Sequence, residues 1–180
     1  MSISPFNAAL PQTVDARKLA QREQQLAGVL PRESLERVGA AVEAMDGDVR
    51  VELLFGRDLQ GHLTVSGKLS CDVQLLCQRC LQPMPEQVEA EFLWGIVWSE
   101  EQGKALPREL DPVVQDGDEL GLHQALEDEI LLNLPMVAYH VAECVAREHF
   151  HSGEEAGEAD GQRENPFKVL EQLKGSSNKP

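Results

Sequence analysis

Two cysteines three positions apart, Cys77 and Cys80, sit in the stretch LLCQRCLQPM, with Pro83 and Pro85 just beyond them. Thiols at this spacing hold half of a metal site, form a redox pair, or sit unligated in a turn. A redox CxxC opens a helix, whose N-terminal dipole lowers the thiol pKa. Here the pair lies between a strand-like run and a proline turn followed by EQVEAEFLWGIVW, and no helix starts there. That context is a knuckle, a tight turn that aims two sulfurs at one point. The other ligands of a tetrahedral site would come from AYHVAEC, where His140 and Cys144 follow the Pro135 stop, with His149 and His151 further out. Cys77, Cys80, His140 and Cys144 are right in number and chemistry for zinc. A thiol oxidoreductase and an inert turn remain the alternatives on the sequence alone.

No enzyme constellation accompanies these residues. The chain has no glycine-rich phosphate loop, no G-x-S-x-G, no H-E-x-x-H and no pair of carboxylates placed for acid–base work. Cys144 with His149 would make a nucleophile pair only with a group to orient the base, and the sequence offers none. The expectation is a protein that is not an enzyme.

The elements that would position these side chains follow from periodicity. LPRESLERVGAAVEAM places Leu35, Val38, Val42 and Met45 on one helical stripe, which predicts an amphipathic helix from about 32 to 45. DARKLAQREQQLAGVL before it reads as helical too, with Gly28 loosening its end. After the turn MDGDV the period changes to two. Val49, Val51, Leu53 and Phe55 share one parity, Leu63, Val65, Leu69, Cys71, Val73, Leu75 and Cys77 another, and Phe92, Trp94, Ile96 and Trp98 a third. These are half-buried antiparallel strands. The middle run is long for one strand, so Gly67 is expected to bulge or break it. Cys71, facing inward with Val73 and Leu75, is expected to be a core thiol.

DGDELGLHQALEDEILLNLP reads as a helix over 118–134, capped by Asp118 and stopped by Pro135, with Leu122, Ala125, Leu126 and Ile130 on its apolar face. Glu129 and Asn133 fall inside that face. A buried carboxylate needs a partner, so Glu129 either reaches out at an edge or pairs with a basic group near the CxxC, such as Arg79. HSGEEAGEADGQRE, residues 151–164, has too little apolar surface to offset its ordering entropy and reads as a flexible acidic linker. Beyond it NPFKVLEQLK carries Phe167, Leu170 and Leu173 on a short helix within 165–180, a docking element for its own domain or for a partner. The whole is an α+β protein: one domain over 1–150 with N-terminal helices, an antiparallel sheet and one long helix, then linker and terminal helix.

Of a net charge of −15, the segment 111–164 carries −12, with two basic against fourteen acidic residues. Such a surface repels phosphate, and nucleic-acid affinity needs several cations on one face. Basic proteins are the expected partners, and direct contact with RNA is disfavoured, although a small local basic patch could survive the global field. No run approaches a membrane span and the N-terminus lacks a basic region followed by a long apolar one, so a cytoplasmic protein that does not enter the membrane is expected.

The order of motifs adds a further pointer. CQRCLQPM on a strand exit, LEDEILLNLPMVAYH further on, a cysteine soon after, then the acidic gap and the terminal NPFKVLEQLK resemble the bacterial YceD family, the large ribosomal RNA subunit accumulation proteins. The resemblance runs from about residue 13 to 174. It implies a role in synthesis, processing or stability of 23S ribosomal RNA, as an accessory factor in making the large ribosomal subunit. It supplies no catalytic residues. Some relatives carry a fuller cysteine cluster after the helix that ends in proline, whereas this chain keeps Cys144 with His140 beside it. With the charge distribution, the expectation is action through basic proteins of ribosome assembly or RNA processing. A small zinc-knuckle interaction module and a CxxC oxidoreductase are the competing readings.

Overall fold

A computed structural model describes residues 8–115 and 117–146. The chain divides into two units, Met1–Cys144 and Val145–Pro180. The segments expected to be an acidic linker and a terminal helix with Phe167 and Leu170, and His149 and His151, lie outside the described residues.

The first unit is α+β, as expected. In chain order it holds β1 (Thr13–Val14), α1 (Ala16–Gln21), β2 (Gln25–Leu30), α2 (Glu36–Ala41), β3 (Ala44–Met45), β4 (Val49–Arg57), β5 (Leu63–Leu76), β6 (Pro83–Val97), α3 (Glu100–Lys104), β7 (Asp111–Val114), β8 (Leu120–Gly121) and α4 (Leu122–Asn133). The main sheet runs β2-β4-β5-β6-β7, with β3 added on β5, while β1 and β8 form a separate pair. All its ladders are antiparallel except β6–β7. The alternating apolar residues of β4, β5 and β6 face inward and, with Val38 of α2 and Leu122, Leu126 and Ile130 of α4, form the core. Cys71 belongs to that core, and burial pushes its thiol up to about 11. No helix among the described residues is long and apolar enough to cross a membrane.

Several sequence expectations need correction. The segment 15–30 is not one helix: α1 stops at Gln21, Glu23 takes a left-handed φ of 48°, and Gln25–Leu30 is an edge strand against β4. Gly28 serves that strand, because a Cβ there would collide with the Ala8 carbonyl, and Leu10 N–H and Val29 N–H bond across the close approach. The predicted helix 32–45 shrinks to a 3-10 turn at Arg32–Ser34 plus α2, since Val42 turns extended and Ala44–Met45 pairs with β5. Leu35 and Val38 are still buried, so one turn of the apolar stripe was real while its continuation was tertiary strand pairing.

Gly67 neither bulges nor breaks β5. The strand is continuous over 14 residues, and its register against β4 and β6 never slips. The glycine makes room instead, since a Cβ would collide with the Phe92 ring that lies across it. Trp98 does not extend the inward set of β6; it lies past the strand end and is 45% exposed. Asp118 caps nothing, because Leu120–Gly121 pairs with β1 and α4 starts only at Leu122.

Candidate metal centre

The centre is built on the β5–β6 connection. β5 delivers Cys77 at its end, where period-two alternation has already turned it inward. The chain then folds tightly: Leu81 N–H donates to the Cys77 carbonyl at 2.8 Å and Cys77 N–H to the Gln82 carbonyl at 3.0 Å. Leu81 adopts a φ of 57°, the left-handed step that turns the chain into β6. This is the knuckle expected from CQRC. The second half comes from residues 134–144, which leave α4 at Leu134 in extended conformation, the geometry imposed before a proline. Gln78 N–H donates to the Ala138 carbonyl at 2.9 Å. Arg79 Nη2 donates to the carbonyls of His140 and Ala142, and its guanidinium lies 5.3 Å from the Tyr139 ring centroid. Arg79 therefore fastens this strap to the knuckle.

That fastening gathers Cys77, Cys80, His140 and Cys144, whose ligand atoms all lie within 4.8 Å of one another. Around a zinc ion, tetrahedral angles put two sulfurs about 3.8 Å apart and a sulfur and a nitrogen about 3.6 Å apart. Cys77 Sγ and Cys144 Sγ stand 3.7 Å apart, and Cys80 Sγ and His140 Nδ1 3.4 Å. The group can hold a metal, and three sulfurs with one imidazole favour zinc over hard cations that want oxygen.

The electrostatics suit a ligand too. Burial works against ionising Cys77, but the backbone N–H groups of Cys80, His140 and Arg79 aim at its sulfur and bring it down to about 5. Cys144 moves the other way, raised by burial and by its contacts with Cys80 and Cys77.

The other candidates fall elsewhere. Glu129 does not pair with Arg79: its Oε1 accepts the Trp94 indole N–H at 2.6 Å, so a neutral donor from β6 satisfies it. Asn133 is exposed and donates to the Glu129 carbonyl at 2.9 Å. A residue that the sequence reading passed over does more. Glu127, buried on α4, accepts the backbone N–H groups of Arg37 at 2.7 Å and Val38 at 3.2 Å, and Arg37 Nε at 2.9 Å. α2 has no side-chain cap of its own, and Glu127 caps it from across the core. The signal was there: a helix beginning at Leu35 must find acceptors somewhere.

A groove of about 970 Å³ runs between β7 and α4. Its apolar lining includes Val113, Leu131 and Leu132, and every charged residue on it is acidic: Asp111, Glu119, Asp128 and Glu129. Asp128 is paired with Arg37 at 2.6 Å. The other three have no cationic partner among the described residues.

A sequence profile described as large ribosomal RNA subunit accumulation protein YceD matches residues 65–174, a stretch that contains all four members of the cluster. The large ribosomal RNA subunit accumulation protein YceD of Haemophilus influenzae is 35% identical to this chain over 167 residues, covering 92% of this chain and 96% of that protein. No solved structure matches the chain.

Proposed function

The chain belongs to the YceD family of large ribosomal RNA subunit accumulation proteins, and from that premise we propose that it is a cytoplasmic, non-enzymatic accessory factor for accumulation of 23S ribosomal RNA that acts through basic protein partners. The acid-lined groove carries the partner reading. A segment with an apolar anchor flanked by Lys or Arg, the chemistry of ribosomal proteins and of many RNA-processing enzymes, would bury its anchor against Leu131 and Leu132 and meet the carboxylates of Asp111 and Glu119, the latter already accepting from Thr13 Oγ1 at 2.6 Å but neither with a cationic partner among the described residues. Complementary charge of this kind raises the association rate and sets register more than it adds affinity.

The Cys77, Cys80, His140, Cys144 group would hold zinc in a structural role, closing the strap onto the knuckle, and with four protein ligands it would leave no position for substrate. The oxidoreductase reading is disfavoured because Cys77, the sulfur whose pKa the surrounding backbone donors bring down, is fully buried, whereas a catalytic thiolate needs access.

The test is complementation. In cells lacking the protein, the wild-type chain restores the ratio of 23S to 16S RNA, and a chain carrying Asp111→Lys and Glu119→Lys, folded by circular dichroism, does not. Full rescue by the reversed groove rejects the partner route. Tight, steeply salt-dependent binding of isolated 23S fragments by the pure protein rejects it as well.

A further inference from the structure

A cleft of about 630 Å³ opens between the β4–β5 turn, the end of β6 and α3, lined by Arg17, Arg57, His62, Trp98 and Gln102 over Ile96. In a chain of net charge −15, no carboxylate among the described residues lines it. Neither arginine has an ion-pair partner among the described residues. Asp58, next to Arg57 in sequence, is consumed by its own turn. Its Oδ1 accepts the N–H groups of Gln60 and His62, both at 2.8 Å, and its Oδ2 meets His62 Nδ1 at 2.6 Å. The arginine charge is thus left facing the cleft.

The aromatic wall is as specific. The chain has two tryptophans; Trp94 is 1% exposed in the core and Trp98 45% exposed at this cleft. The Trp98 backbone is fixed at the corner between β6 and α3, its main-chain N–H donating to Gln102 Oε1 at 2.9 Å while the Gln102 main-chain N–H donates to Ser99 Oγ at 3.3 Å. An exposed indole beside two guanidinium groups that lack an ion-pair partner is what grips single-stranded nucleic acid: bases stack on the ring and phosphates meet the cations. Guanidinium forks also match phosphate oxygens bidentately, and the volume falls within the range of about 300–1,000 Å³ typical of small-ligand sites.

We propose that this cleft binds a nucleotide unit, with its base against Trp98 and its phosphate between Arg17 and Arg57. The global negative charge does not forbid it, because at physiological salt exposed charges more than about 8 Å away are largely screened and the local sign decides. The site goes beyond the protein-partner reading and is independent of it. Two cations give a shallow salt dependence, with a log–log slope of about −1.4 for single strands, unlike the steep slope of a protein that clasps RNA along a basic face.

The full chain is titrated with adenosine monophosphate, a six-nucleotide single-stranded RNA, inorganic phosphate and an acidic peptide. Intrinsic fluorescence reports Trp98, and anisotropy of labelled RNA serves variants that lack it. Saturable quenching by the nucleotide or the RNA is expected, weakened about tenfold or more by Arg17→Ala with Arg57→Ala and by Trp98→Ala, and less by Trp98→Phe. RNA binding with a silent mononucleotide identifies a polynucleotide ligand; equal affinity for both identifies a free nucleotide. The proposal is overturned by no binding of either at millimolar concentration, by undiminished binding in the double arginine variant, by phosphate binding as well as the nucleotide, or by the peptide binding more tightly than both. Asp111→Lys with Glu119→Lys leaves this titration unchanged, so failure here and failure of the groove are told apart.

Discussion

Glu127→Ala removes the cap of one helix from another, and the structure sets the size of the loss. Glu127 Oε1 accepts two first-turn N–H groups of α2, donors that have no acceptor within their own helix. Loss of a capping side chain costs typically about 1 and up to about 2 kcal/mol. The ion pair with Arg37 contributes less than a fully buried one, because the Arg37 side chain is 46% exposed and keeps Asp128 at 2.6 Å; about 1 kcal/mol is a fair share for a partly solvated pair. The variant should therefore lose about 2–3 kcal/mol, and at about 2–4 °C per kcal/mol for a domain near this size, about 4–12 °C in Tm. Glu127→Gln keeps an acceptor without the charge and should lose about half as much.

The pH dependence separates capping from simple packing. Burial raises the Glu127 carboxyl, but the Arg37 side-chain bond and the N–H groups of Val38 and Arg37 outweigh it and hold it below the usual 4.5. A group depressed in the folded state stabilises above its unfolded pKa, and that stability is lost as pH falls through the folded value. Wild type and Glu127→Gln should thus differ most at neutral pH and converge in acid below pH 4.5. Urea unfolding followed by circular dichroism at pH 7 and through the acid range measures this. A Glu127→Ala variant within about 0.5 kcal/mol of wild type, the usual scatter for surface changes, or a Gln offset that does not shrink in acid, refutes the reasoning.

Zinc should be present at one equivalent by elemental analysis, with chelation lowering Tm and metal uptake releasing protons; Cys144→Ser should abolish stoichiometric binding, and a protein whose stability ignores chelator contradicts the centre. Arg79→Lys loses the planar guanidinium whose Nη2 bonds the His140 and Ala142 carbonyls, so zinc affinity should fall about tenfold or more by competition with a chromophoric chelator, as for other outer-shell partners. Gly67→Ala drives a methyl into the Phe92 ring and should cost about 1–3 kcal/mol in urea unfolding; an unchanged midpoint means the ring moves aside freely.

Legibility in the sequence followed the range of the interaction. The inward parity of β4, β5 and β6, the core place of Cys71 and the Cys77–Cys80 half of the cluster could be read because a period of two and the CxxC spacing are local patterns, while His140 and Cys144 were legible by ligand chemistry alone. The β2 strand was hidden: QLAGVL pairs only because β4 offers an edge, and its own composition suited a helix as well. Gly67 was read as a break because its reason, the ring of Phe92, sits on another strand. Glu129 found Trp94 rather than Arg79 for the same cause, since polar partners across a core leave no trace in spacing. Trp98 kept strand parity by residue number, but β6 had already ended.

Among the described residues β7 ends the sheet as DPVV, bonded along its length to β6 alone. Pro112 has no N–H to offer an incoming strand, and Asp111 adds a charge to the same rim. A stray extended chain that met this border would find a missing rung and a carboxylate, so the sheet is protected from growing copy upon copy into a fibre while the neighbouring groove stays open to a visitor.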